Sequence, residues 1–145
     1  MEYFGHEKLG VYKKSIKFVS WTQDLFDRLN SGSPVINQLE RASISVPLNI
    51  AEGNGKFTSR DKCRYFDIAR GSALESAACL DVMASKKMID GSVAESGKVQ
   101  LHSIVSMLFG LIRSNSDRVF EPTVDYEEDP DKGSEYLDDL DYDHD

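Results

Sequence analysis

The amino-acid sequence predicts an all-α fold: an antiparallel, up-down-up-down four-helix bundle with a disordered, acidic C-terminal tail. Three observations predict it. Apolar residues recur at three-four spacing in four successive stretches, and no stretch alternates with the period of two that marks a strand. Each stretch is bounded by capping or turn residues. The connections are short, which favours antiparallel neighbours. The chain of 145 residues is one domain's worth, and its apolar fraction of 40% suits a globular core.

The first helix is expected from about Glu7 to Leu29, with Leu9, Tyr12, Ile16, Val19 and Phe26 as its apolar seam and Gln23 as the one polar member. Phe18, Leu25 and Leu29 widen that seam, and Asn30-Ser31-Gly32 ends the helix. The second helix opens on Ser33 as N-cap and Pro34 at the first helical position, where a missing N–H costs nothing. Ile36, Leu39, Ser43, Val46 and Ile50 form its buried side. Pro47 lacks a donor and crowds the Ser43 carbonyl, which predicts a kink. Gly53-Asn54-Gly55 closes the helix.

The third helix starts at Thr58 or Ser59, where Thr58 and Asp61 have the spacing of a capping box. Phe66, Ala69, Ala73, Ala77, Leu80 and Ala84 make a narrow seam of mostly small residues, with Tyr65, Ile68 and Leu74 adding bulk beside it. The pattern runs to about Met88, and Asp90-Gly91 stops it. The fourth helix opens with a second capping box, Ser92 to Glu95, and packs through Ala94, Gly97, Leu101, Ile104, Leu108 and Leu111. Gly110 is expected to admit a close neighbour.

Charge divides the chain at residue 117. Residues 1–116 hold 15 Lys+Arg against 12 Asp+Glu, a net of +3, and residues 117–145 hold 2 against 13, a net of −11. The domain boundaries follow: a bundle over 1–116 and a tail over 117–145 whose composition cannot build a core. Three roles suit such a tail. It solvates the protein, it folds back on a basic patch and competes with nucleic acid, or it binds a basic partner.

No run approaches the 18 apolar residues of a membrane span, and the N-terminal residues lack a basic segment followed by an apolar one. The expectation is a cytoplasmic protein without membrane contact. Cys63 and Cys79 lie sixteen residues apart in one expected helix. That is about 24 Å at 1.5 Å per residue, too far for a disulfide, so both are expected reduced.

Two sets of residues are candidates for function. The first is a polar stripe between Gln38 and Val82. Arg41, Ser45, Asn49 and Glu52 share one face of the second helix, and Gly71, Ser72 and Glu75 interrupt the third. Arg41 is expected to reach Glu52 or Glu75, in its own or a neighbouring chain, and Glu75 to meet Arg41 or Arg70. Asn49, with donors and acceptors, is expected to bridge the second and third helices. The competing reading is a solvated face. The second set is basic: Lys13, Lys14 and Lys17 on the first helix, and Lys56, Arg60, Lys62 and Arg64 around the start of the third. These read either as ordinary solubilising charges or as a phosphate-contacting patch. Without a base-reading motif, such a patch would favour nucleic-acid backbone over sequence. His6, His102 and His144 have no metal-ligand partners at helical spacing, and nothing pairs a nucleophile with a base. The expectation is no enzyme, no metal and no cofactor.

The run Arg41-Ala-Ser-Ile-Ser-Val-Pro-Leu-Asn-Ile-Ala-Glu-Gly53 resembles the signature of the bacterial 23S ribosomal RNA intervening-sequence proteins. Ala69-Arg-Gly-Ser-Ala-Leu-Glu75 is similar to that family's second signature, and Leu9-Gly-Val-Tyr-Lys-Lys-Ser matches more loosely. The resemblance covers about residues 4–115. It implies a four-helix bundle assembling as a homopentamer, with no enzymatic activity. It extends to the accessory variability protein of diversity-generating retroelements, which implies basic surfaces that bind RNA or DNA and dock a reverse transcriptase or another nucleic-acid protein. The acidic tail departs from that family pattern.

Overall fold

A computed structural model describes residues 1–30 and 32–119. Four helices account for it: α1 (Gly10–Asp27), α2 (Pro34–Asn54), α3 (Ser59–Ser85) and α4 (Gly91–Val119), preceded by a 3₁₀ turn over Gly5–Lys8. No strand occurs among the described residues, so the all-α expectation holds. Residues 117–119, expected to begin the tail, instead continue α4, and the rest of the expected tail, 120–145, lies outside the described residues.

Contacts between neighbours run in opposite senses along the chain. A Cβ on Gly53 of α2 would meet Phe66 and Tyr65 near the start of α3, while Gln38 near the start of α2 reaches Glu75 further along α3. Leu80 faces Gly97 and Cys63 faces Ile112, which makes α3 and α4 antiparallel. Gly10 faces Met107, Lys14 faces Ser103 and Trp21 faces Gly97, so α1 and α4 are antiparallel too. Phe18, Leu39, Val46, Ile50, Phe66, Leu80, Met83, Leu101, Ile104 and Leu108 are fully or almost fully buried between the helices.

The expected seams of α2 and α4 are the buried ones, apart from a half-buried Leu111. That of α1 is corrected. Its buried stripe is Val11, Ser15, Phe18, Thr22 and Leu25, whereas Ile16 is 44% exposed. Ser15 and Thr22 enter the core because their hydroxyls bond the Tyr12 and Val19 carbonyls of their own helix, each at 2.7 Å. Glu7 does not begin α1. It closes the 3₁₀ turn, its carboxylate accepting from the Tyr3 and Phe4 N–H groups at 2.7 and 2.6 Å.

In α3, Leu74 is 48% exposed rather than packed beside the seam, and the helix ends at Ser85 rather than Met88. Lys87 adopts φ +59° there, with Met88 N–H bonding the Met83 carbonyl and Lys87 N–H that of Ala84. This is a Schellman turn with lysine in the place that glycine usually takes. Asp90-Gly91 therefore opens α4 instead of stopping α3, and Ser92 lies inside the helix rather than at its cap. Helix α2 continues through the buried Pro47 to Asn54. The close-approach glycines are Gly53 and Gly97, and a Cβ on Gly110 would meet nothing within 4 Å. Cys63 and Cys79 are free, buried thiols, and burial pushes both above the ordinary thiol range.

Candidate nucleic-acid interface and polar seam

The turn between α2 and α3 carries the denser basic group. Gly55 caps α2, its N–H reaching the Ala51 and Glu52 carbonyls. Thr58 then starts α3, its hydroxyl accepting from Asp61 N–H at 3.1 Å, as the capping-box spacing predicts. Lys62 Nζ donates to the Asn54 carbonyl at 2.7 Å and ties the first turn of α3 to the last of α2. Lys56 Nζ sits 4.7 Å from the centre of the Tyr65 ring. Arg60 and Arg64 are exposed on the same first turns of α3. Phe57 stands fully exposed between Lys56 and Thr58.

On α1, Lys13 pairs with Glu2 at 3.2 Å and Lys14 donates to Ser103 Oγ at 2.6 Å. Lys17 is exposed and has no such partner among the described residues. The backbone at Gly5 lies against Asn54, which places the N-terminal turn beside the end of α2. Lys14, which meets Ser103 at the middle of α4, lies further along the bundle than Lys56–Arg64, whose neighbour Cys63 faces Ile112 and Ser116 near the end of α4. Lys17 lies further along still.

Electrostatically, the partners of three of these lysines are neutral: a hydroxyl for Lys14, a ring for Lys56, a carbonyl for Lys62. Such contacts hold a cation in place without cancelling its charge. The start of α3 brings the positive end of one helix dipole to this turn, and the end of α2 the negative end of another.

Part of the polar stripe forms a seam between α2 and α3. Ser45 Oγ and Ser72 Oγ are 2.8 Å apart across the helices, and Asn49 Nδ2 donates to the Ser45 carbonyl and hydroxyl at 2.8 and 2.9 Å. Asn49 therefore bonds within α2, and Ser45 makes the bridge expected of Asn49. The Arg41–Glu75 contact does not form within the chain. The register that sets Ser45 against Ser72 sets Glu75 opposite Gln38, whose side-chain amide donates to it. Arg70 turns instead to the buried Asp67, three residues before it, at 2.8 Å. Arg41 and Glu52 are exposed, eleven residues apart, and make no ion pair or hydrogen bond among the described residues. That separation is about 16 Å along one helix, beyond the reach of a bridge.

Gln38, Asp67 and Phe57 are the residues that sequence reasoning passed over. Gln38 sits one turn before Arg41 on the same side, so helical spacing alone could have found it. Nothing in the spacing marks Asp67 or Phe57. No group of three or more His, Cys, Asp or Glu side chains able to hold a metal occurs among the described residues. No helix among them is long and apolar enough to cross a membrane.

The chain matches the family of 23S rRNA-intervening sequence proteins over residues 7–110. A crystal structure of a protein of unknown function from the S23 ribosomal protein family, from Bacteroides thetaiotaomicron, is similar at 22% identity and a TM-score of 0.67. The similarity covers 71% of this chain and 98% of that one. A comparison with curated proteins finds no significant match.

Proposed function

The chain belongs to the 23S rRNA-intervening sequence protein family, and from that premise we propose that it is a non-enzymatic, self-associating bundle of the cytoplasm. Its basic end binds the backbone of RNA or DNA, or docks a nucleic-acid enzyme such as a reverse transcriptase. One observation carries the reading. Lys56 and Lys62 are held by neutral groups at one end of the bundle, together with the exposed Arg60 and Arg64. Cations positioned in advance lose less freedom on meeting phosphate. Repetition of a weak patch in an oligomer multiplies its avidity, and the family resemblance favours a pentamer.

Self-association has its own support on the outer face of α2. Arg41, Ile44, Leu48 and Glu52 follow one another at helical spacing, and Ile44 and Leu48 are 40% and 60% exposed. An apolar pair bracketed by an unpaired cation and an unpaired anion suits a partner surface. The same face supports a second reading, a protein-interaction scaffold without a nucleic-acid role. Poly-U binding by the full chain across a salt titration separates the two. Binding that weakens with salt and with Lys56→Gln supports the first, and absence of binding at low salt leaves the second.

A further inference from the structure

The described chain ends where its basic residues gather. Cys63 on α3 contacts the Ile112 carbonyl at 3.5 Å and Ser116 Oγ at 3.6 Å on α4. Lys62 and Arg64 flank Cys63 in sequence. Helix α4 runs only three residues past Ser116, to Val119, or about 4.5 Å. The remaining 26 residues, 120–145, carry 12 Asp+Glu against one Lys, and the first acid is Glu121. Between Lys56 and Arg64 stand four cations and the single acid Asp61.

We infer that residues 120–145 dock on the basic end of their own bundle, around Lys56 and Lys62, and compete there with an external polyanion. Charge complementarity and the point of attachment select this occupant. A tethered partner acts at a local concentration on the order of millimolar. The competition rests on the nucleic-acid reading above; the docking does not. The contact is electrostatic and exposed, so it weakens with salt. Lys86 and Lys87 follow the end of α3, at the opposite end of the bundle, and provide an internal reference.

Zero-length carbodiimide cross-linking of the full chain tests the docking. At low salt, carboxylates of residues 121–145 should join Lys56 or Lys62 several times more often than Lys86 or Lys87. In a mixture of light and heavy-nitrogen chains the joined peptides should share one isotope, and concentrated salt should abolish them. Equal joining at both ends of α3, or products mainly between chains, would overturn the inference. A full-length variant with Asp138, Asp139, Asp141, Asp143 and Asp145 changed to Asn should bind poly-U about tenfold more tightly at low salt. Selective cross-links without poly-U binding by either protein would leave the docking standing and remove the nucleic-acid reading. Poly-U binding with unselective cross-links would do the reverse.

Discussion

At the residue scale, Gly53 and Gly110 make opposite predictions from the same substitution. A Cβ at Gly53 would sit 2.9 Å from two atoms of the buried Phe66 ring and 3.0 Å from Tyr65 Cβ. Gly53→Ala should therefore destabilise by about 1–3 kcal/mol through overpacking. Gly110→Ala meets open space and should stabilise by about 0.5–1 kcal/mol through helix propensity. Thermal unfolding of the two variants checks both signs. Glu7 gives a pH-dependent counterpart. Two backbone N–H bonds, from Phe4 and Tyr3, hold its carboxyl below the ordinary glutamate range. Its contribution to the N-terminal turn is complete above the ordinary glutamate value and is lost as pH falls through the lower, folded one. A carboxyl-detected NMR titration should place Glu7 below that range, and Glu7→Gln should remove the dependence. At this scale the sequence misleads where two side chains of similar chemistry compete. Arg41 and Gln38 share one side of α2, and only the register against α3 decides which meets Glu75.

At the scale of elements, the caps and turns carry the entry to the basic site. The Thr58 hydroxyl satisfies the Asp61 N–H, so Thr58→Ala should cost about 1 kcal/mol. Denaturant unfolding measures this, and Thr58→Ser should restore it. Helix existence is legible because the apolar period is strong and Pro34, Thr58 and Gly55 punctuate it. The face of α1 is not. Its apolar residues surround the helix, and Ser15 and Thr22 are buried only because each hydroxyl bonds its own backbone. The end of α3 is hidden for a related reason. Lys87 takes the left-handed position, which the glycine rule assigns to Gly91.

For the whole molecule, the face proposed for assembly, on the outside of α2, is separate from the end proposed for binding. Arg41 has no partner among the described residues. Arg41→Ala should therefore leave intrachain packing intact while reducing the oligomer. Light scattering should give several times the 16.3 kDa chain mass for the parent protein and a smaller mass for the variant. A monomeric parent would remove the assembly claim. The basic residues are legible as candidates, but their separation is not: Lys14 packs on Ser103 at the middle of α4, whereas Lys62 is tied to the end of α2, and only the packing of the helices sets these levels.

The most direct test of the account is the salt dependence of RNA binding by the full chain. The logarithm of poly-U affinity should fall linearly with the logarithm of salt concentration. Lys56→Gln and Arg60→Gln each take one cation away from the phosphates, so each should make the slope shallower by roughly one. No binding at low salt, or a slope unchanged in both variants, would contradict the assignment of the basic end as a nucleic-acid interface.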